Sequence, residues 1–314
     1  MMKYKKYVTD TIPVSEIGLG AWQLGENSGW KSMTETEAIA MVHKALDFGV
    51  NFFDTAPNYG YGSSEIRLGK ALKNIDRSKI VVNTKFGHTH KGDLNFSSSY
   101  IKESLEGSLK RLQVDYIDSL IIHNPPSEYY DGNKNDHYEI LEKLVDEGKI
   151  KAYGASLDTY DDMTLLMDTT NAKVIEAFFN MFHQDTLRGF KKAQKNDVGI
   201  IVKIPLDSGW LTGKYNAESR FNDIRSRWSK HDIETRALLV QKLQSIVGTD
   251  KNLSQIAIAF CLAYDAVSTV IPGNVNIEQL TSNVKSTEIP ISDLLVSKIE
   301  KLYQKEIQKL NIPW

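Results

Sequence analysis

Four side chains set the chemical problem. Asp54 closes the apolar run Asn51-Phe52-Phe53, and Tyr59 follows five residues later in a turn carrying Pro57, Gly60 and Gly62. Lys85 closes Ile80-Val81-Val82-Asn83-Thr84, and His123 closes the run from Tyr116 to Ile122. A tyrosine alone has a pKa of about 10 and is a poor acid or base near neutrality. A nearby ammonium stabilises the phenolate and lowers that value. Asp54 can hold Lys85 and offset its buried charge, while His123 can hydrogen-bond the tyrosine or a substrate oxygen. Such a set delivers a proton to one oxygen atom, or removes it. It contains no nucleophile, metal or electron source. A hydrolase built on Ser63 or Ser64 with His123 would need a nucleophile elbow, which is absent.

For these groups to meet, the runs that carry them must be neighbouring strands with their C-terminal ends at one mouth. The pattern supports this. Strand 50–54 leads to helix 63–73, strand 80–84 to helix 98–111, and strand 116–122 to helix 136–147. Strand 150–155 leads to helix 159–168, strand 173–177 to helix 186–195, strand 199–203 to helix 254–264, and strand 268–271 to helix 276–286. Ile17–Gly20 before the helix at 34–48 completes eight units. Thr34 with Glu37 reads as a capping box, and Gly49 as the stop. The strands are short, β-branched and apolar on both faces, as in a buried parallel sheet. With no charge-rich linker, the expectation is an α/β fold, a (β/α)8 TIM barrel in a single domain over 1–314. An N-terminal β-hairpin turning near Asp10 and an extra C-terminal helix flank it. Segments 86–97, 124–135 and 205–250 exceed the minimal repeat and should shape the pocket on the catalytic face.

The composition is that of an ordinary globular chain: 314 residues, 41% hydrophobic, 25% charged, net charge −2. Nothing in it suggests a nucleic acid or a membrane as partner. Cys261 is the sole cysteine, so no intramolecular disulfide can form, and it reads as a small core residue. No secretory signal or membrane-length apolar run is visible, so a cytoplasmic location is expected. His88 and His90 lack an evident third ligand and read as a solvated loop, with no metal. Arg220, Arg225, Arg227 and Lys230 around Trp228 read as a solvated helix face or a lid.

The stretch Phe53-Asp54-Thr55-Ala56-Pro57-Asn58-Tyr59-Gly60, followed by Ser64-Glu65 and Leu68-Gly69-Lys70-Ala71-Leu72, resembles the first signature of the aldo-keto reductase family. Thr84-Lys85-Phe86-Gly87 and Ile122-His123 fall where that family's lysine and histidine lie. The run 205–214 is similar to its pyrophosphate-covering loop, and Ile271-Pro272-Gly273 with Gln279 and Asn283 to its adenosine-side motif. The resemblance covers essentially the whole chain. It implies a nicotinamide cofactor extended across the strand ends and hydride transfer to a carbonyl carbon of a small-molecule substrate. Tyr59 would protonate the alkoxide, with Lys85 and Asp54 tuning it and His123 orienting the carbonyl. It further implies cofactor contacts from Ser156, Glu176, Lys203, Pro205, Leu206, Ser208, Gly209, Leu211, Lys214, Ile271, Gly273, Val275, Gln279 and Asn283. Trp22 and Asn124 would line the substrate pocket, and Asn124, where several members carry tryptophan, suggests a polar substrate such as a sugar.

Three positions depart from the family pattern. Leu157 follows Ser156 where an asparagine is usual, Glu176 replaces a glutamine, and Lys203 stands where many members stack an aromatic ring. Glu176 and Lys203, on adjacent strands, are expected to pair, since a lone buried carboxylate is costly. The resemblance implies NADP(H) as the cofactor, and Val275, where many members carry a basic residue for the 2′-phosphate, keeps NAD(H) as the alternative. The rival functional class is a non-catalytic NADP-binding regulatory or sensor barrel.

Overall fold

A computed structural model describes residues 2–9, 11–26, 29–310 and 312–314. The chain opens with an antiparallel hairpin, β1 (Tyr4–Lys5) against β2 (Val14–Ser15). The turn expected near Asp10 falls on a residue outside the described ones. Then follow β3 (Leu19–Gly20), α1 (Glu35–Asp47), β4 (Phe52–Asp54), α2 (Ser63–Leu72), β5 (Val81–Phe86), α3 (Tyr100–Leu112), β6 (Ile117–Ile122) and α4 (His137–Asp146). The alternation continues with β7 (Ile150–Leu157), α5 (Tyr160–Thr169), β8 (Val174–Phe178), α6 (Phe190–Lys195), β9 (Gly199–Lys203), α7 (Lys230–Val247), α8 (Leu253–Leu262), β10 (Val267–Val270), α9 (Ile277–Lys285) and α10 (Asp293–Leu302). The capping box at Thr34 forms, with Glu37 accepting from the Thr34 amide at 2.8 Å.

Strands β3 to β10 pair in parallel in chain order, and parallel bridges Ile17 to Val270 and Gly20 to Gly273 bring the first strand against the last. The expected (β/α)8 barrel is therefore present. Alternation along each strand decides what faces inward. Phe52, Val81, Ile121, Ala152, Val174 and Ile201 form an apolar layer that the hairpin residues Tyr7, Val8 and Val14 plug from below. One step along the same inward faces stand Asp54, Asn83, Ser156 and Glu176, with Lys85 and Lys203 in the same array. An apolar floor under a polar mouth thus follows from period two in the strands.

Two spans differ from expectation. The segment expected as helix 186–195 starts as a 3-10 turn, Asp185–Gly189, before α6. Segment 205–250 is no plain excursion: it contains α7, the longest helix. Its Ser229/Asp232 capping box and the buried Ile233, Ala237, Val240 and Leu243 are a helical signal that the surrounding polar residues dilute. Cys261 is buried in the core as expected. Among the described residues no helix is long and apolar enough to cross a membrane.

Candidate active site

Strand order brings the four groups together. Lys85 donates to Asp54 Oδ1 at 2.6 Å and Oδ2 at 2.8 Å, to the Thr55 carbonyl at 3.1 Å and to the Tyr59 hydroxyl at 3.4 Å. Asp54 stands on β4 and Lys85 on β5, and both are buried. Tyr59 opens the 3-10 turn after β4 and stacks on Trp22 (centroids 5.8 Å apart, planes at 18°), while the His123 ring meets its edge at 5.7 Å. The turn cannot drift: a side chain on Gly60 (φ 58°) would strike the Glu26 amide at 2.5 Å, so two loops lock backbone to backbone.

The electrostatics follow from burial. Desolvation lifts the Tyr59 phenol well above its usual value, with Lys85 pulling down and Asp54 and Glu176 pushing up. Lys85 alone therefore does not make a phenolate, as the spacing had suggested, and Tyr59 rests as a protonated donor. Burial opposes the charge on Lys85, but Asp54 and Glu176 more than restore it and hold the ammonium above its ordinary range. Asp54 is pushed up to about 7, by burial first and Glu176 next, against Lys85 and Asn83. Burial, Lys85 and His88 drive His123 well below the ordinary histidine value, so its ring is neutral at neutral pH.

Above this set opens a cavity of about 1040 Å³ that runs from Trp22 and Tyr59 past Lys203 to Gln279 and Asn283. Asp54, His123, Asn124, Ser156, Glu176, Pro205, Leu206, Ser208, Gly209, Lys214, Ile271, Gly273 and Val275 also line it. Lys85 lies behind Asp54 and Tyr59. Leu211, expected among the cofactor contacts, is fully buried and packs into the core, because the apolar side chains of its turn face inward. Gln279 accepts from the Val275 amide at 3.0 Å, and Asn283 donates to Asn274 at 2.8 Å, so both brace the loop after β10.

The expected pair of Glu176 with Lys203 does not form. Glu176 Oε2 lies 3.1 Å from Lys85, and Lys203 reaches Asp158 at 2.7 Å, Asn124 at 2.7 Å and Ser156 at 2.9 Å. Only the Ser156 hydroxyl, 3.3 Å from Glu176 Oε1, stands between them. The reason is geometric: the Lys203 stem leans toward β7 and the loop after β6, while Lys85 comes up beneath Glu176. Nor is His88 a solvated loop residue: it stacks on His123 at 4.4 Å and lines the cavity. Arg225 also lines it, paired with Asp223 and lying over the Trp30, Tyr215 and Phe221 rings. Among the described residues no group of three or more His, Cys, Asp or Glu could hold a metal ion.

Residues outside the sequence expectation hold the site. Asn83, two positions before Lys85 on the same strand face, donates to Asp54 at 2.7 Å and accepts from Ser119 at 2.6 Å, which meets Tyr7 at 2.7 Å. A hydrogen-bonded file thus runs from the hairpin plug to the acid. The loop after β9 carries left-handed backbone at Ile204 (φ 55°), Asp207 (φ 45°) and Ser208 (φ 53°), a conformation that costs free energy and persists only when overdetermined. Asp207 accepts from Arg236 of α7 at 3.0 Å, with His183 at 3.4 Å, and Asn180 donates to the Ile204 carbonyl at 2.9 Å. Nothing local in the sequence couples position 207 to 236.

The cavity fits a nicotinamide dinucleotide: it is larger than most small-molecule pockets. It is also lined by buried polar atoms that lack a hydrogen-bond partner, namely Glu176 Oε2, His123 Nδ1 and Gln23 Oε1.

The barrel thus gathers an acid, a lysine, a tyrosine and a histidine at its C-terminal mouth, a set whose chemistry is to move a proton at one oxygen atom. The profile of the Aldo/keto reductase family matches residues 16–304, and the chain belongs to that family. It is 30% identical to L-galactose dehydrogenase of Arabidopsis thaliana over 280 residues, covering 87% of this chain and 84% of that protein. It is 29% identical to a probable voltage-gated potassium channel subunit beta of the same plant, covering 97% and 98%. Its fold matches the holo form of an aldo-keto reductase from Bacillus halodurans with a TM-score of 0.80, at 29% identity over 96% of each chain.

Proposed function

We propose that this protein transfers a hydride between NADP(H) and a hydroxylated carbonyl or alcohol, with Tyr59 as the general acid and base. The observation that carries the reading is the Tyr59 hydroxyl at 3.4 Å from the Lys85 ammonium, beside a neutral His123, at the foot of the cavity. A bound nicotinamide supplies or accepts the hydride. The chain's own residues do the rest. His123 orients the substrate oxygen, and Tyr59, held protonated by burial, gives its proton as negative charge develops there. Lys85 steadies the phenolate left behind, and Asp54, gripped by Asn83, keeps Lys85 in place. Ser156, Glu176 and Lys203 would hold the nicotinamide end of the cofactor. The loop from Pro205 to Lys214 would hold its phosphates, and Ile271 to Asn283 its adenosine.

The polar wall at Asn124, Lys203 and Ser156 and the likeness to an L-galactose dehydrogenase both support a hydroxylated substrate. Lys214 and Lys251 in the cavity wall support a phosphorylated adenosine. Val275, lacking a positive charge, leaves NAD(H) as the alternative. The likeness to a channel beta subunit supports a second reading, a barrel that binds cofactor without turnover. A screen of NADPH and NADH oxidation against sugars, aldehydes and ketones separates these. Turnover with at least one hydroxylated carbonyl is expected. Tight cofactor binding with no turnover across the panel would favour the sensor.

A further inference from the structure

Glu176 is a buried carboxyl group whose bonds to the surrounding protein are incomplete. Its side chain is 4% exposed, in the middle of β8. Oε1 accepts from Ser156 at 3.3 Å, while Oε2 receives no directed hydrogen bond. Lys85 lies 3.1 Å from Oε2, but its directed bonds go to Asp54, the Thr55 carbonyl and Tyr59. Two carboxylates therefore face one ammonium. The next cation, Lys203, is already matched by Asp158 at 2.7 Å. Above about pH 7, where Asp54 is ionised, counting Asp54 and Glu176 against Lys85, and Asp158 against Lys203, leaves one negative charge in excess, and Glu176 lies in the cavity wall.

On the proposed function, the reacting ring must lie close to an oxygen held by Tyr59, and Tyr59 shares Lys85 with Glu176. The nicotinamide ring is neutral when reduced and carries one positive charge when oxidised. A carboxylate in a poorly solvated wall attracts only the second form strongly. We propose that Glu176 makes the site discriminate between the redox states of its cofactor, holding the oxidised form tightly relative to the reduced form. Lys203, on the same wall, works against it, and Asp158 limits that opposition. Because the oxidised form is stabilised on the protein, the bound reduced form is the stronger hydride donor, and the on-enzyme equilibrium is displaced toward carbonyl reduction. This rests on the proposed cofactor class, and binding tests the two separately.

The measurement is quenching of tryptophan fluorescence, since Trp22, Trp30 and Trp314 line the cavity. Wild type, Glu176→Gln and Lys203→Met are titrated with the oxidised and reduced forms of NADP and of NAD at pH 8.5, above the value of about 7 to which Asp54 is raised. Glu176→Gln is expected to raise the ratio of oxidised to reduced Kd on the order of tenfold. Lys203→Met should lower it severalfold. Both forms binding Glu176→Gln with a ratio within twofold of wild type would overturn the proposal. If that variant does not fold, Lys203→Met decides: a ratio that stays put or rises contradicts it. No binding of either form to wild type would remove the proposed cofactor class, and this inference with it.

Discussion

The two halves of the barrel mouth are built differently. On the β4 to β6 side, Asp54 on β4, Tyr59 in the turn after it, Lys85 on β5 and His123 just past β6 meet through contacts anchored from below by Asn83, Ser119 and Tyr7. On the β8 to β9 side, Glu176 and Lys203 turn away from each other. The loop beyond them is held in left-handed backbone by an ion pair to a distant helix. On the proposed function the first half handles the proton, and strand alternation fixes the strand residues in it. The second is a charged cradle whose shape depends on α7. A perturbation of one half should therefore show in turnover, and a perturbation of the other in cofactor affinity.

The largest expected effect is on the first half. Lys85→Met leaves Asp54 and Glu176 facing each other without a cation. It should cost about 3–5 kcal/mol of stability and lower kcat roughly 10³-fold. Chemical denaturation and steady-state kinetics check both, and kcat within tenfold of wild type would break the assignment. On the second half, Arg236→Leu strands the buried Asp207. About 3–5 kcal/mol of destabilisation is expected, and the cofactor KM should rise about tenfold while kcat stays within about threefold, because the quartet is untouched. A fall in kcat larger than the rise in KM would erase the division between the halves.

A smaller effect is the pH dependence of Asp54. Its native value of about 7 lies above the ordinary 3.8, so the native state holds a proton that the unfolded chain has released. The contribution of Asp54 to stability is fully present below about 3.8, is lost as pH rises toward 7, and is flat above. The difference in melting stability between wild type and Asp54→Asn should follow that course. A difference that grows with rising pH would mean that the carboxylate is ionised in the native state throughout.

The first half was legible because its information is local or periodic: an acid and a lysine at strand ends, a tyrosine in a glycine-rich turn, and period two placing them inward. The barrel was legible for the same reason, from eight alternations. The second half was not. Glu176 and Lys203 are neighbours by strand order, yet which cation each meets depends on how side chains lean across the mouth. Asp207 and Arg236 are 29 positions apart and become partners only once α7 folds over the barrel end. His88 looked solvated because stacking on His123 has no signature in spacing.

The account turns on the Tyr59 hydroxyl, and one variant isolates it. Tyr59→Phe keeps the ring on Trp22 and removes only the proton-carrying oxygen. With cofactor Kd and kcat measured on the same preparation, binding should stay within about threefold of wild type while kcat falls roughly 10³-fold or more. A Tyr59→Phe protein that binds cofactor normally and turns over within tenfold of wild type would show that the proton comes from elsewhere.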